Sequence, residues 1–284
     1  MLKSIFIVAY LTIATVVSIS SIQHIISGNQ LYSYLGVLFT SAPIALFVMR
    51  IMILKDRART SNNLNIVLLL AVFGVGLTLF NGVLKGDDIE PLYLATGMTA
   101  LFLLYDHWYS KLDRSSSKLV VGEELPPFEL RTTDGEAVTS ESLSSGAKIF
   151  VFYRGNWCPL CVAQVKEMVA GYAGIKEAGA TVAFISPQPQ KYSRSLAKKF
   201  GVDGIEFYQD EDNKAAKALG IFSAYGTPMG MQAMGYDSDT VMPTVIITDG
   251  EGKVLWTHET DNYRVRPEPE TYIEVLKEHG IAPV

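Results

Sequence analysis

Four long apolar stretches dominate the N-terminal part of the chain. They cover residues 5–26, 31–49, 64–84 and 91–105. Each reaches, or nearly reaches, the ~20 residues that a helix needs to cross the hydrocarbon core of a bilayer. The pattern therefore predicts a four-helix transmembrane bundle.

The fourth stretch is the shortest, with 15 uncharged residues. It completes a span only by including Asp106 and His107. Trp108 and Tyr109 follow directly, as in the aromatic belt of a membrane interface. The alternative on pattern grounds is a buried helix of a soluble protein.

After a polar linker at residues 113–119, the pattern changes to short strand and helix signals that alternate. Strands are predicted at residues 147–153, 180–186, 205–209, 244–248 and 254–258. Helices are predicted at residues 159–178, 191–200, 212–219 and 270–279. The sequence thus predicts an α/β domain at residues 120–284, with a mixed sheet flanked by helices, C-terminal to a four-span domain at residues 1–112.

Positive charges are unevenly distributed around the apolar stretches. With the N-terminus inside, the inner segments carry Lys3, Arg50, Lys55, Arg57, Arg59, Lys111, Arg114 and Lys118, and the outer loops carry only Lys85. Because Lys and Arg near span ends stay in the cytoplasm, this pattern predicts an integral membrane protein with a cytoplasmic N-terminus and a cytoplasmic C-terminal domain. If residues 1–21 were instead a cleaved signal peptide, the same rule applied to the remaining three spans would keep the C-terminal domain inside.

The bundle is predicted to be an anchor in the lipid bilayer. It has no cysteine to carry electrons across the membrane, and His24 and His107 lie near opposite ends of their spans, too far apart to share a metal. Gly74 and Gly76 suit close helix packing. Residues 119–284 carry 15 Lys and Arg against 23 Asp and Glu, and this acidic balance argues against a nucleic-acid partner.

The only two cysteines, Cys158 and Cys161, lie in the run YRGNWCPLC. This run follows a predicted strand, so Cys158 falls at the N-cap of the next helix and Pro159 in its first turn. The positive end of the helix, with Arg154 nearby, is expected to lower the pKa of the Cys158 thiol and make it a nucleophile. Cys161, one turn deeper, is the predicted resolving thiol.

Other roles for the two thiols stay open on sequence alone. A zinc site would need two further ligands, and this domain offers only His258 and His279. Inert core thiols fit poorly with a loop that contains Gly, Asn and Trp, and a permanent disulfide fits poorly with a reducing cytoplasm. The prediction is a redox-active cysteine pair with no metal and no other cofactor.

Several motifs carry a family resemblance. They are FYRGNWCPLC at residues 152–161, ISPQ at 185–188, YQDEDNKAA at 208–216, MPT at 242–244, DGEG at 249–252 and DNYRVRPEP at 261–269. In this order they resemble the peroxiredoxin-like branch of the AhpC/TSA group within the thioredoxin superfamily. The resemblance spans roughly residues 120–280, excludes the membrane bundle, and implies a thioredoxin-like fold and a thiol-redox enzyme.

The resemblance also implies roles for residues. It makes Pro243 a cis-proline facing the cysteine loop, with Cys158 attacking and Cys161 resolving, and it leaves the Met242 backbone free to pair with an extended partner. An ordinary proline at a strand start is the alternative for Pro243. Trp157 is expected to help shape the partner surface. Residues 226–239, rich in Met and Gly, resemble the variable insertion of this branch and are expected to form a lid over the thiols.

The reaction stays open between candidates. Peroxiredoxins carry P-x-x-x-T-x-x-C around the peroxidatic cysteine. If Cys158 is that cysteine, Val151 occupies the proline position and Gly155 occupies the threonine position. The missing hydroxyl and the second cysteine favour a membrane-anchored thiol-disulfide oxidoreductase acting on protein disulfides. The alternative is a thiol-dependent peroxidase, with Cys158 peroxidatic and Arg154 orienting the peroxide. A redox-sensing membrane adaptor is a third hypothesis, and the thiol electron donor is not identified.

Overall fold

The computed structural model describes residues 1–86, 88–143 and 146–282. The chain forms two compact units. The helical unit comprises Leu2–Leu54 and Ser61–Lys111, and the α/β unit comprises Lys55–Thr60 and Leu112–Val284. A short segment between two apolar helices therefore belongs to the α/β unit.

In the part of the helical unit that the structure describes, there are four α-helices. They are α1 (Leu2–Ile26), α2 (Leu31–Leu54), α3 (Asn65–Leu79) and α4 (Glu90–Leu104). α3 and α4 continue into π-helical turns at Phe80–Leu84 and Tyr105–Tyr109. Among the described residues, three segments are long and apolar enough to cross a membrane, namely Leu2–Ile26, Leu31–Leu54 and Asn65–Leu84.

The fourth apolar stretch does not meet the same standard, and this corrects the expected four spans to three candidate spans. α4 has 15 residues, about 22 Å at the ~1.5 Å rise of a helix, which is short of the ~30 Å hydrocarbon thickness. Its π-helical continuation contains Asp106 and His107, which make it less apolar. The charged and aromatic end of this stretch is the physical reason for the difference.

Close glycine contacts hold α2 and α3 together. A Cβ atom built on Gly74 would lie 2.4 Å from the Gly36 carbonyl oxygen. A Cβ atom on Gly76 would meet nothing within 4 Å among the residues that the structure describes. Of the two glycines expected to serve packing, Gly74 therefore does so and Gly76 does not.

A seven-stranded mixed sheet forms the centre of the α/β unit. Its strands are β1 (Glu129–Arg131), β2 (Ala137–Thr139), β3 (Ala147–Phe152), β4 (Ala180–Ser186), β5 (Ile205–Gln209), β8 (Thr244–Thr248) and β9 (Val254–His258). They lie in the order β2-β1-β5-β4-β3-β8-β9, and β6 (Phe222–Ser223) pairs separately with β7 (Thr240–Val241). β3, β4 and β5 are parallel to one another. β8 is antiparallel to β3, and β9 is antiparallel to β8.

Five α-helices accompany these strands within the described ranges of the α/β unit. They are α5 (Pro159–Ala170), α6 (Tyr172–Glu177), α7 (Gln190–Phe200), α8 (Lys214–Ala218) and α9 (Pro269–Glu278). The crossovers through α5, α6 and α7 make β3, β4 and β5 parallel, since parallel neighbours need a long connection. β3 is buried along its whole length, as expected of a central strand covered on both faces. The mixed-sheet α/β fold predicted from the sequence is confirmed.

The helix expected over residues 159–178 is two helices separated by Gly171. This glycine caps the end of α5, and a Cβ atom there would lie 3.0 Å from Cβ of Pro269, at the start of α9. β1 and β2 were not expected, because strands of three residues carry too short a pattern of alternating polarity.

Candidate active site

The cysteine loop connects β3 to α5. Cys158 is the N-cap residue of α5 and Pro159 its first residue, as the sequence predicted. The Cys158 carbonyl oxygen accepts hydrogen bonds from the amides of Cys161 at 3.0 Å and Val162 at 3.1 Å, which form the first helical turn. Both cysteines are free thiols and almost fully buried, with exposed fractions of 2% for Cys158 and 0% for Cys161.

Gly155 gives the loop its sharp turn. Its φ of +142° lies in a region that favours glycine, and a Cβ atom would come within 2.9 Å of the Trp157 indole. The next amide, of Asn156, donates to the Gln188 side chain at 2.8 Å. Gln188 in turn donates to the Tyr153 hydroxyl at 2.8 Å, so buried hydrogen bonds hold the loop on both sides of Gly155.

Arg154 lies among aromatic rings beside the cysteine loop. Its guanidinium is 4.6 Å from the Trp157 ring centroid and 5.2 Å from that of Tyr263. It also donates a hydrogen bond to the Gly226 carbonyl oxygen. Trp157 thus packs against Arg154 from within the loop, and Arg154 connects the loop to the insertion at residues 226–239.

Arg266 contacts both thiols, and the sequence did not single it out. Its Nη2 atom is 3.3 Å from Cys161 Sγ and 3.9 Å from Cys158 Sγ. Its Nη1 atom donates to Gln164 Oε1, one turn further along α5. The side chain is 4% exposed. Arg266 lies in the motif DNYRVRPEP, but its distance of more than a hundred residues from the cysteines gave no sign of this contact.

The two thiols have opposite electrostatic environments. Burial raises the pKa of Cys158, and its hydrogen bond to Cys161 raises it further. At Cys161 burial also acts to raise the pKa, but the hydrogen bond from Cys158 and the charges of Arg266 and Arg154 outweigh it, so the Cys161 pKa lies well below its usual value. The expected lowering of the Cys158 pKa is therefore not what this arrangement gives. Burial and the nearer position of Arg266 to Cys161 outweigh the helix end.

Pro243 differs from the expected cis-proline, because the Met242–Pro243 bond is trans. The Met242 amide already donates to the Ile221 carbonyl oxygen at 2.8 Å. The Pro243 carbonyl oxygen accepts from Arg114 Nη2 at 2.7 Å. The expectation of a Met242 backbone free for an extended partner is therefore wrong as well, since its N–H is used inside the domain.

Residues 226–239 pack against the cysteine loop. The Tyr236 hydroxyl donates to Asn156 Oδ1, and the Tyr236 ring stacks on Tyr192 at 4.7 Å between centroids. The Tyr192 hydroxyl donates to the Met234 carbonyl oxygen at 2.7 Å. With the bond from Arg154 to Gly226, these contacts attach the insertion to the loop that carries Cys158.

No group of three or more potential metal ligands occurs among the described residues. His258 Nε2 lies 3.4 Å from the Val265 carbonyl oxygen, and His279 Nδ1 lies 2.9 Å from that of Val275. The two histidines considered for a zinc site thus contact backbone oxygens.

A buried cysteine pair at the start of a helix, held against a mixed sheet and an arginine, defines a thiol-redox domain of the thioredoxin-like class. Residues 121–257 match the AhpC/TSA family. The protein therefore carries a C-terminal domain of the AhpC/TSA peroxiredoxin family, as the resemblance implied. In the sequence this domain follows apolar helices.

Curated relatives extend this match. The chain is 28% identical over 130 residues to the chloroplastic peroxiredoxin Q of Sedum lineare, covering 45% of this chain and 69% of that protein. It is 29% identical over 112 residues to the putative peroxiredoxin bcp of Helicobacter pylori, covering 39% of this chain and 71% of that protein. The match to the peroxiredoxin Q of Oryza sativa subsp. japonica spans only 58% of that relative.

The family match confirms that the domain is a peroxiredoxin-like enzyme. Enzymes of this class react through cysteine thiols and need no separate cofactor, so the cofactor prediction is confirmed on the same ground.

Proposed function

We propose that this protein is a membrane-anchored thiol peroxidase of the peroxiredoxin Q and Bcp kind, which reduces a hydroperoxide with the Cys158 and Cys161 pair. The observation that carries the proposal is an AhpC/TSA domain whose two thiols are buried 3.9 and 3.3 Å from the Arg266 guanidinium. A peroxide needs a thiolate and a nearby cation, and this site supplies both. The peroxidase is thus preferred over the disulfide oxidoreductase, which the sequence alone favoured.

The surroundings of the thiols weigh against a protein disulfide as substrate. Disulfide exchange needs the attacking sulfur to reach a partner sulfur in line, whereas both thiols here are buried. The backbone amide of Met242, which would pair with an extended partner, is bonded to Ile221. A hydroperoxide is small and needs neither an open groove nor a free backbone edge.

The chemistry uses both thiols. A thiolate sulfur attacks one peroxide oxygen, the O–O bond breaks, and the leaving oxygen takes a proton to depart as an alcohol or as water. The sulfenic acid formed is attacked by the second thiol, which releases water and forms the Cys158–Cys161 disulfide. An external thiol reductant then returns both cysteines to the reduced state.

We assign the attack to Cys161 and the resolving role to Cys158, which reverses the order predicted from the sequence. Arg266 lies closer to Cys161, and the hydrogen bond from Cys158 stabilises a thiolate on Cys161. Counted back from Cys161, the hydroxyl position of the P-x-x-x-T-x-x-C motif falls on Cys158, which can donate a hydrogen bond in the same place.

Rapid mixing of the reduced full-length protein, in detergent micelles, with hydrogen peroxide and a lipid hydroperoxide tests the proposal. We expect consumption of peroxide far faster than by free cysteine. No acceleration, together with reduction of insulin disulfides by the same preparation, would instead support the oxidoreductase.

Single substitutions test the assignment of the two thiols. Cys158→Ser should still consume one equivalent of peroxide and accumulate a sulfenic acid at Cys161 that dimedone traps, whereas Cys161→Ser should lose the first step. The opposite pattern would restore the sequence prediction, with Cys158 attacking, and would leave the peroxidase intact.

Membrane association is supported by the three candidate spans. The amide of Thr60 donates to the Arg264 carbonyl oxygen at 3.0 Å, so residues 55–60 and the domain after Leu112 share one unit. Both stretches therefore lie on the same side of the membrane.

We propose that this side is the cytoplasm, supported by the positive charges of the inner segments. A reporter fused to the C-terminus should be active only in the cytoplasm. Labelling of the cysteines in intact cells by an impermeant thiol reagent would contradict this orientation.

A further inference from the structure

The segment Lys55–Thr60 has an unusual place in the chain. It connects two candidate spans, α2 and α3, yet it belongs to the α/β unit. A loop that only joined two helices would leave its side chains in solvent. Here Ala58 is 1% exposed, and the Lys55 carbonyl oxygen accepts a hydrogen bond from Lys166 Nζ at 3.2 Å. The loop is therefore built into the domain that carries the thiols.

Arg59 makes several contacts from this loop to the rest of the α/β unit. Its Nε atom donates to the Arg266 carbonyl oxygen at 3.1 Å, and its Nη2 atom donates to the Pro267 carbonyl oxygen at 3.1 Å. Its Nη1 atom lies 3.2 Å from the Glu268 carboxylate. Three donors of one guanidinium thus hold three consecutive residues that begin with Arg266.

Arg59 also reaches the helix that carries the thiols. Its Nη2 atom forms an ion pair with Glu167, which lies on α5 two turns after Cys161. The planar guanidinium can serve both sides because its five N–H donors point in fixed directions. Arg59 therefore links the backbone around Arg266 to α5. The Arg266 side chain also reaches α5, where it contacts Gln164 and the two sulfurs.

We propose that Arg59, in the loop between two membrane helices, is a positioning residue that fixes Arg266 over the cysteine pair. The loop between α2 and α3 thereby sets the reactivity of the thiols as part of the redox domain. The family match at residues 121–257 includes neither Arg59 nor Arg266. Both the arginine that contacts the thiols and the arginine that holds it therefore come from segments outside the matched region. The proposal rests on the assignment of these thiols as the reactive groups, and it holds whichever oxidant they meet.

The short distance between Arg266 and Cys161 explains why a substitution at Arg59 should change the reactivity of the thiol. Coulomb energy falls with separation, and in a buried site the charge of Arg266 acts on Cys161 across 3.3 Å with little solvent screening. Loss of the Arg59 contacts frees the carbonyl oxygens of Arg266 and Pro267, so the guanidinium can move away from the thiolate. The charged groups acting on Cys161 are Arg266 and Arg154, and Arg154 is held separately by Trp157 and Tyr263.

The experiment measures the rate of iodoacetamide alkylation of the reduced full-length protein across a range of pH, with mass spectrometry to assign each cysteine. Arg59→Ala should move the midpoint of the Cys161 alkylation profile to higher pH by about one unit, so that the rate at pH values below the wild-type midpoint falls by about tenfold. Arg59→Lys keeps the charge but lacks the planar fork of the guanidinium, so it should restore part of the rate.

Arg57→Ala is the matched control, because Arg57 is an exposed arginine of the same loop. Its profile should overlay that of the wild type. Glu167→Gln provides a second variant that weakens the tie to α5 while Arg59 stays in place, and it should shift the profile in the same direction by a smaller amount. It also covers the case in which Arg59→Ala yields no folded protein.

An unchanged Cys161 profile in both Arg59→Ala and Glu167→Gln would overturn the proposal. Alkylation needs no peroxide, so this result is distinct from failure of the peroxidase. A protein inactive with peroxide but sensitive to Arg59→Ala would retain the positioning role, and an active peroxidase insensitive to both variants would refute it.

Discussion

The helical unit and the α/β unit expose opposite kinds of side chain. In the helical unit large apolar residues point outward, such as Ile66 and Ile53, which are 75% and 71% exposed. In the α/β unit the strands bury residues such as Ile149 and Phe150 completely. An outward apolar surface is costly in water and favourable in hydrocarbon, so the two units are suited to different solvents.

The polar groups that the two units bury also differ. In the helical unit the buried hydroxyls of Ser18 and Ser41 bond to carbonyls of their own helices and to each other at 2.9 Å. In the α/β unit the buried guanidinium of Arg266 bonds across segments, to side chains of α5. Hydrogen bonds between neutral hydroxyl and carbonyl groups mainly satisfy those groups, whereas a buried charge can change the chemistry of its neighbours.

The largest effect is expected from the loss of this buried charge. Arg266→Met should slow the reaction with peroxide by on the order of 100-fold, because the Cys161 thiolate loses its closest cation. The second-order rate constant from stopped-flow mixing checks this. Arg131→Met is the control, since Arg131 pairs with Glu211 at 3.0 Å on the surface and should leave the rate unchanged. A normal rate in Arg266→Met would remove Arg266 from the mechanism.

A second prediction concerns a buried carboxylate of the α/β unit. Burial raises the pKa of Asp210 from 3.8 to about 6, although the amides of Ala215 and Ala216 donate to it. A raised carboxyl pKa means that the folded state binds the proton more tightly than the unfolded state. The stability contributed by this group is therefore greatest below about pH 4 and is lost as the pH rises towards about 6.

Asp210→Asn removes that titration. Between about pH 4 and pH 7 the stability difference between variant and wild type should move by about 3 kcal/mol in favour of the variant. Apparent melting temperatures of both proteins, measured across this range in one detergent, check the direction. A difference that stays constant with pH would contradict the raised pKa.

The next prediction tests whether the helical unit depends on close packing in the same way as the core of the α/β unit. Gly74→Ile places a branched side chain where even a Cβ atom would lie 2.4 Å from the Gly36 carbonyl oxygen. We expect a loss of about 1–3 kcal/mol, typical of overpacking, seen as a lower melting temperature in detergent. Gly76→Ile, where a Cβ atom meets nothing within 4 Å, should melt like the wild type. Equal losses in both variants would mean that α2 and α3 do not approach as described.

The smallest effect is expected from the hydroxyl pair of the helical unit. Ser41→Ala removes the 2.9 Å bond between Ser18 and Ser41, while the Ser18 hydroxyl keeps its bond to the Ala14 carbonyl oxygen. Hydrogen bonds between membrane helices contribute about 0.6 kcal/mol on average. The melting temperature should therefore fall only slightly, and the peroxide rate should not change. A loss as large as that of Gly74→Ile would show that the helical unit relies on this bond.

Much of the α/β unit could be predicted because its elements have strong local patterns. The runs at β4, β5, β8 and β9 are apolar and short, and the structure has them at the predicted residues. The cysteine loop was placed correctly for the same reason, since a buried strand followed by Cys158 and Pro159 is a local signal of a helix start.

The features that the sequence missed depend on contacts between distant segments. Gly171 ends a helix whose periodic pattern continues, because Pro269 packs against it. The Met242–Pro243 bond is trans, with the Met242 amide bonded to Ile221 and the Pro243 oxygen to Arg114. The local sequence around Gly171, Met242 and Pro243 does not predict contacts with Pro269, Ile221 or Arg114.

By itself, the sequence determined the apolar helical region and the α/β region, the thiol pair at a helix start and the peroxiredoxin resemblance. Each of these depends on residues that lie close together along the chain. The tertiary structure alone separates the two thiols, because it raises the pKa of Cys158 and lowers that of Cys161. This difference depends on burial, which disfavours the thiolate at Cys158, and on Arg266, which the fold brings to 3.3 Å from Cys161. The fold also brought Arg59, from between two apolar helices, to the backbone of Arg266. Electrostatic energy depends on distance in space and on desolvation, and neither can be read from separation along the sequence.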